Sequence, residues 1–138
     1  MDIRKITDDF SVAPQIGVDD VAAIAAAGFR AVICNRPDGE AEGQPPSGDV
    51  AAAVTASGME WRMLPVRNIG PADVDAFARL VGELPKPVLA YCRSGTRCTS
   101  LWSLTELKKR PVDDILALTR AAGYDMGPLI AVAAAGRR

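Results

Sequence analysis

The segment that most constrains the fold is a short apolar run that ends at a cysteine and leads directly into a small-residue loop and a helical pattern. Residues 88–91 are apolar or aromatic, Cys92 follows them, Gly95 lies inside the loop and Arg97 closes it. Apolar residues then return at helical spacing, which predicts a strand, a tight loop and a helix. The backbone N–H groups of such a loop converge on one point, toward which the positive end of the helix also points. The segment therefore predicts a cradle for an anion.

A thiol at the first position of this loop is a candidate nucleophile. The loop, the helix and a nearby guanidinium all favour the thiolate, so the pKa of Cys92 should lie below the ordinary value of about 8.5. Arg97 is predicted to bind an oxyanion through a bidentate fork. The predicted anion-binding set comprises Arg93, Ser94, Gly95, Thr96, Arg97 and Cys98. A buried, unreactive cysteine is the simpler alternative, but it requires neither Gly95 nor Arg97 at these positions.

The two other cysteines need separate interpretations. An odd number of three cysteines favours free thiols over a disulfide framework. Cys34 lies in an apolar run and is predicted to be part of the core. Cys98 lies in the first turn of the helix after the loop, where it either hydrogen-bonds or resolves the Cys92 sulfur or simply packs beneath the loop. Arg93 likewise faces either substrate or solvent.

Composition restricts the chemistry that is available. The chain contains no histidine, which removes the usual general base and the commonest zinc ligand, so neither a metal nor another cofactor is expected. A net charge of -1 provides no large field for nucleic acid or an acidic membrane. No stretch approaches the roughly 20 apolar residues of a membrane span, and the first residues lack the apolar run of a signal peptide, so a cytoplasmic protein is expected. The expected partner is a small anionic or phosphorylated substrate, or a persulfide donor, and the oligomeric state stays open.

A proton donor for a leaving group is harder to identify. Asp38 and Glu40 follow the third predicted strand, and Asp73 and Asp75 lie in the first turn of a predicted helix. Asp38 and Asp73 are retained as candidate catalytic acids. Each has a simpler interpretation, since aspartate is common in turns and is favoured at helix N-termini by the helix dipole.

Strands and helices alternate along most of the chain. This order predicts a single α/β domain over residues 1–138, with a mostly parallel central sheet flanked by helices and a frayed tail at 136–138. The predicted strands are residues 3–6, 10–15, 29–34, 59–66 and 88–91. The predicted helices are residues 18–27, 49–56, 71–84, 96–109, 111–123 and 127–135. In such sheets ligands bind beyond the carboxyl ends of the strands, where the Cys92 loop is expected.

The Cys92 loop, the turn Asn35-Arg36-Pro37-Asp38 and the lead-in residues 10–15 resemble a bacterial family, the phosphatase-like domain of beta-lactamase-hydrolase-like proteins. The resemblance covers residues 1 to about 110. It implies the fold of the dual-specificity branch of cysteine-based protein phosphatases. Some members of that family are fused to a persulfide-oxidising domain and are described as sulfurtransferases.

The resemblance also implies roles for individual residues. Cys92 matches the nucleophile that forms a phosphocysteine, and Arg97 matches the arginine that binds the phosphoryl oxygens. Four residues separate them, where the phosphatase signature has five and rhodanese sulfurtransferases have the shorter loop. Tyr91 and Cys98 stand where phosphatases usually have histidine and a hydroxyl residue. Asn68 lies near the expected position of the general-acid aspartate.

Three functions follow from these observations. The first is hydrolysis of a phosphomonoester through a phosphocysteine. The second is sulfur transfer through a persulfide on Cys92, favoured by the short loop because a single sulfur atom needs fewer donors than a phosphoryl group. The third is a non-catalytic module that binds an oxyanion.

Overall fold

The structure, a computed structural model, describes residues 1–135, and the predicted frayed tail lies outside the described residues. Five strands form one mixed sheet in the order β1-β2-β5-β3-β4. The strands are β1 Arg4–Thr7, β2 Phe10–Ala13, β3 Ala31–Cys34, β4 Glu60–Met63 and β5 Val88–Tyr91. The helices are α1 Val21–Ala26, α2 Ser47–Ala56, α3 Pro71–Glu83, α4 Thr96–Glu106, α5 Val112–Ala121 and α6 Gly127–Ala135. The predicted α/β class with a mostly parallel sheet is confirmed.

Most of the sheet is parallel. β5 pairs in parallel with both β2 and β3, and β3 pairs in parallel with β4. Only β1 runs the other way, because the two-residue turn Asp8-Asp9 joins it to β2 as an antiparallel edge pair. β5 therefore lies at the centre of the sheet, and all four of its residues are buried.

The alternation of side chains along β5 divides the core into two layers. Val88 and Ala90 face one cluster, which is formed with residues of α3, α4, α5 and α6, and Cys92 continues that face. Leu89 and Tyr91 face the other cluster, which is formed with residues of α1 and α2. This period of two is the ordinary geometry of a strand that is buried on both faces.

β2, β3 and β4 are shorter than the sequence pattern predicts, most clearly β4, Glu60–Met63, which was predicted to extend over residues 59–66. Beyond Met63, Leu64 N–H still donates to Cys34 O at 2.9 Å and Val66 N–H donates to Asn35 O at 3.0 Å. Pro65 lies between them and has no N–H group to donate. The proline thus ends the regular strand and leaves two isolated hydrogen bonds that still hold this segment beside β3.

Candidate active site

The loop after β5 begins at the centre of the sheet. Cys92 N–H donates to Ala13 O of β2 at 3.3 Å, while Asn35 N–H donates to Tyr91 O at 2.9 Å. These two bonds hold the end of β5 to the strands on both sides. The Cys92 side chain is fully buried from bulk solvent and lines the floor of a surface cleft.

The loop then turns through Gly95, which has a φ of 87°. This left-handed conformation is readily adopted by glycine, and a Cβ here would also collide with the hydroxyl of Tyr124. Gly95 N–H points back at the cysteine and donates to Cys92 Sγ at 3.2 Å. Thr99 stabilises the turn, because both its N–H and its hydroxyl donate to Gly95 O, at 3.0 and 2.7 Å. The sequence therefore requires glycine here for two independent reasons.

Hydrogen bonds to Cys92 Sγ stabilise the thiolate. Hydrogen bonding by the Cys98 side chain is the largest influence on the pKa of Cys92 and lowers it, and burial, the next largest, acts in the opposite direction. Backbone N–H groups of Cys98, Gly95 and Ser94 add to the stabilisation, and the pKa of Cys92 falls to about 6. A group with this pKa is mostly ionised at neutral pH. These groups are the hydrogen-bond donors that stabilise the predicted thiolate of Cys92.

The pKa values of the other two cysteines change in the opposite direction. Burial, followed by the neighbouring Cys92 sulfur, raises the pKa of Cys98 well above its ordinary value. Burial also raises the pKa of Cys34, whose thiol donates to Arg36 O at 3.3 Å. Cys34 packs in the layer on the opposite face of the sheet, which agrees with its prediction as a core residue. Only Cys92 combines a lowered pKa with a position in a cleft.

Tyr124 supports the loop from behind and is a residue that sequence analysis missed. Its hydroxyl donates to Ser94 O at 3.0 Å, and the Arg4 guanidinium lies 5.4 Å from the centre of its ring. Arg4 in turn donates to Ala122 O at 3.0 Å. The first strand and the segment after α5 thereby meet at the loop. No motif marks Tyr124, and its separation of 30 residues from Ser94 gives no local signal.

The guanidinium of Arg97 is held in place by Glu40. Nη1 lies 2.9 Å from Glu40 Oε2 and Nη2 lies 3.1 Å from Glu40 Oε1, so the carboxylate binds the end of the guanidinium. Nη1 also donates to Val66 O at 2.8 Å. Of the five N–H groups of an arginine, these bonds leave Nε–H and one Nη2–H without an acceptor among the described residues. That pair forms one edge of the guanidinium, which is the bidentate fork that an oxyanion needs.

Glu40 also belongs to a longer chain of polar contacts. Its Oε1 accepts from Arg36 Nε at 3.0 Å, and Arg36 Nη1 donates to Gln15 Oε1 at 3.0 Å. The Arg97 guanidinium, with Arg36 beside it, lowers the pKa of Glu40 below its ordinary value. Glu40 is therefore an anion that orients Arg97. The sequence analysis considered Glu40 only as a possible acid, because its contact with Arg97 spans 57 residues.

The cleft over Cys92 has a volume of about 540 Å³. Residues from three parts of the chain form its walls: the segment before α3, the Cys92 loop with α4, and α6. The lining residues besides Cys92 are Arg67, Asn68, Ile69, Ser94, Thr96, Arg97, Ser100 and Leu129. The predicted residues Ser94, Thr96 and Arg97 are thus brought together around the cysteine. Arg93 is exposed and does not line this cleft.

The two candidate acids lie elsewhere and are engaged in local structure. Asp38 accepts from the Ser47 hydroxyl at 2.6 Å and from Ser47 N–H at 2.8 Å, and the first of these bonds chiefly lowers its pKa. Asp73 accepts from Gly70 N–H at 2.8 Å and so caps the start of α3. Neither carboxylate lines the cleft within the part of the chain that the structure describes.

Tyr91 precedes Cys92 but faces the other side of the sheet. Only 1% of it is exposed, and its ring centre lies 6.2 Å from that of Trp61. Burial raises the pKa of its hydroxyl, and the neighbouring Cys34 adds to this effect. Tyr91 is therefore a packing residue beneath the site.

Neither a metal site nor a membrane-spanning helix is found among the described residues. No group of three histidine, cysteine, aspartate or glutamate side chains lies close enough together in residues 1–135 to hold a metal ion. None of the helices in that range has the length and apolar character needed to cross a membrane.

Fold and loop together define a cysteine-based phosphatase-like domain. The structure of a candidate phosphatase (nma1982) from Neisseria meningitidis superposes with a TM-score of 0.83 and 36% identity, covering 93% of each chain. Tk-PTP in its active form superposes with a TM-score of 0.71 over 88% of this chain and 84% of its own. The latter shares only 16% identity and supports the fold alone.

The particular family follows from the sequence comparisons. Residues 2–108 match the family described as "Beta-lactamase hydrolase-like protein, phosphatase-like domain", and the chain belongs to this family. A beta-lactamase hydrolase-like protein of Xylella fastidiosa (strain Temecula1) is 34% identical over 131 residues, which cover 92% of this chain. The matched part is 30% of that relative, so the chain spans less than a third of its length.

The donors to Cys92 Sγ predict how its reactivity depends on pH. Alkylation by iodoacetamide needs the thiolate, so the rate at Cys92 should rise through a midpoint near pH 6, in keeping with the pKa of about 6, and then level off. The substitution Cys98→Ala removes the strongest donor, and the midpoint should move up by about one pH unit or more. Quantitative mass spectrometry of the Cys92 peptide measures the rate.

Cys98→Ser and Cys34→Ala are the matched controls. The serine hydroxyl retains a donor and should keep the midpoint closer to that of the parent than alanine does. Cys34 lies on the other face of the sheet, and its removal should leave the midpoint in place. A parent midpoint near the ordinary value of about 8.5, or equal midpoints in the parent and Cys98→Ala, would contradict this account.

Proposed function

We propose that this chain is a cysteine-dependent hydrolase of phosphomonoesters. The observation that carries the proposal is the Cys92 sulfur, whose pKa is lowered to about 6 by hydrogen bonds and which lines the same cleft as Arg97, whose Nε and Nη2 edge has no acceptor among the described residues. A thiolate attacks phosphorus directly, and a guanidinium fork binds two of the phosphoryl oxygens. The family and the phosphatase-like fold support the same reaction class.

In the first step, an electron pair of Cys92 Sγ forms a bond to phosphorus while the bond to the leaving oxygen breaks. In the second step, water attacks the phosphocysteine, the bond between sulfur and phosphorus breaks, and thiolate and phosphate are released. Arg97 and the N–H groups of Ser94, Gly95, Thr96 and Cys98 are proposed to stabilise the charge on the phosphoryl oxygens. The exposed Arg93 is proposed to contact the outer part of the substrate.

Glu40 and Tyr124 are proposed positioning residues for this reaction. Glu40 holds the end of the Arg97 guanidinium at 2.9 and 3.1 Å and so directs the adjoining Nε and Nη2 edge at the substrate. Tyr124 holds the carbonyl of Ser94 at 3.0 Å, which keeps the loop in the conformation that Gly95 permits. Both contacts exist before substrate binds, so the site is preorganised and little energy is spent in assembling it.

Turnover of p-nitrophenyl phosphate tests the proposal. The substitution Cys92→Ser should lower kcat about a thousandfold or more, because a hydroxyl is a much weaker nucleophile at neutral pH. Arg97→Lys should lower kcat/KM by about a hundredfold or more, because the bidentate fork is lost. Mass spectrometry of the rapidly quenched enzyme should find a phosphoryl group on Cys92.

Cys34→Ala and Arg79→Lys are matched controls, a buried cysteine on the other face of the sheet and an exposed arginine on α3, and both should keep kcat within twofold of the parent. Turnover that survives Cys92→Ser would refute the proposal. Absence of turnover in the parent would refute it as well. If phosphate nevertheless raised the melting temperature in the parent but not in Arg97→Ala, the chain would be the non-catalytic oxyanion-binding module.

Sulfur transfer is the second candidate, and two observations favour it. Four residues separate Cys92 from Arg97, and the Cys98 side chain is the largest influence that lowers the pKa of Cys92. In this reaction the Cys92 thiolate attacks the outer sulfur of thiosulfate, the bond between the two sulfurs breaks, and sulfite leaves. A persulfide then remains on Cys92 and passes to an acceptor thiol.

Thiosulfate exposure distinguishes sulfur transfer from phosphoryl transfer. A sulfurtransferase should gain the mass of one sulfur atom on the Cys92 peptide and release sulfite in equal amount. Cys34→Ala should behave as the parent, and Cys92→Ser should gain nothing. An unmodified Cys92 in the parent after incubation with excess thiosulfate would count against this candidate.

A further inference from the structure

Among the residues that the structure describes, the lining of the cleft over Cys92 includes no side chain suited to give a proton to a leaving oxygen. Its polar lining consists of hydroxyl, amide and guanidinium groups besides the nucleophile. Hydroxyl and amide groups do not titrate near neutral pH, and a guanidinium remains protonated. Among the described residues, no aspartate or glutamate belongs to this lining. A proton donor would act on the leaving oxygen, whereas the loop and Arg97 are proposed to bind the other phosphoryl oxygens.

Glu40, Asp38 and Asp73 are each engaged in other contacts. Glu40 is held by two guanidinium groups, which lower its pKa and keep it anionic. Asp38 is held by the backbone and hydroxyl of Ser47, which also lower its pKa. Asp73 is held by the N–H of Gly70 at the start of α3. To act as a proton donor, any one of them would have to give up these bonds and become protonated.

A phosphoryl transfer without a proton donor depends strongly on its leaving group. The transition state is loose, and negative charge builds up on the leaving oxygen as its bond to phosphorus breaks. A general acid usually contributes about 10²–10⁴-fold to the rate by protonating that oxygen. Without one, the electron pair departs with the oxygen as an anion, which later takes its proton from water.

We infer that this site acts on phosphoryl groups attached to weakly basic leaving oxygens, namely acyl phosphates, phosphoric anhydrides and electron-poor aryl phosphates. Alkyl phosphates, including phosphoserine and phosphothreonine, are poor substrates. This inference rests on the proposed phosphatase function and specifies its substrate class. It concerns the first step only, since hydrolysis of the phosphocysteine is the same for every substrate.

A series of substituted phenyl phosphates tests the inference. The value of kcat/KM should fall by about tenfold for each unit by which the pKa of the leaving phenol rises, because kcat/KM reports formation of the phosphocysteine. Acetyl phosphate should be hydrolysed readily, and phosphoserine should not be hydrolysed. A nearly flat dependence on the pKa of the phenol would overturn the inference while leaving the phosphatase function in place.

Asn68→Asp provides the complementary gain of function. Asn68 lies on the cleft wall, and aspartate has nearly the same shape but can carry a proton. The variant should raise kcat/KM for phenyl phosphate by about tenfold or more at low pH and should flatten the dependence on the leaving group. Asn68→Leu is the control of similar size without a titratable group and should show no such gain.

The remaining outcomes are also decisive. In the parent, kcat/KM could depend only weakly on the pKa of the leaving phenol. If that dependence became steep in Asp73→Asn or Asp38→Asn, the substituted aspartate would be the proton donor and the inference would be overturned. The inference would also be contradicted if Asn68→Asp, shown to be folded by circular dichroism, left the dependence of kcat/KM on the pKa of the leaving phenol unchanged. No turnover of any substrate, including acetyl phosphate, would refute the phosphatase function itself and the inference with it.

Discussion

The rest of the site depends on how the central strand β5 positions Cys92, the residue that follows it. β5 is paired on both sides, and the hydrogen bonds of Cys92 N–H to Ala13 O and of Asn35 N–H to Tyr91 O extend that pairing by one residue. Cys92 is therefore positioned by three strands before the loop begins. A residue held this way has little freedom, so the loop amides can converge on a sulfur whose place is already determined.

The same strand explains why the neighbouring residues Tyr91 and Cys92 face different layers of the core. Alternation along β5 directs Cys92 into the layer with α4 and Tyr91 into the layer with α1 and α2. Cys98, one turn into α4, lies beside Cys92 in the first layer, and its thiol is the main source of the lowered pKa. The lowered pKa of Cys92 thus arises mainly from a second cysteine, in a chain that contains no histidine.

The sequence predicted the order of the elements, the Cys92 loop and the convergence of Ser94, Thr96 and Arg97, because each depends on residues close together in the chain. The end of β4 was predicted at residue 66, whereas the regular strand ends at Met63. The contacts of Glu40 with Arg97 and of Tyr124 with Ser94 were not predicted.

The reason is physical. These contacts span 57 and 30 residues, and their partners meet only because the sheet and helices bring distant loops to one edge. A carboxylate in a polar loop and an isolated tyrosine carry no pattern that indicates a distant partner. Likewise, the engagement of Asp38 by Ser47 and of Asp73 by Gly70 becomes visible only in the folded chain.

A crystal structure with orthovanadate, which mimics a phosphoryl group during transfer, tests the central claim most directly. The account predicts vanadium bonded to Cys92 Sγ, with its oxygens accepting from Gly95 N–H and from the Nε and Nη2 edge of Arg97, while Glu40 still holds the end of that guanidinium. Vanadate absent from the loop at saturating concentration, or bound only by the exposed Arg67, would contradict the account.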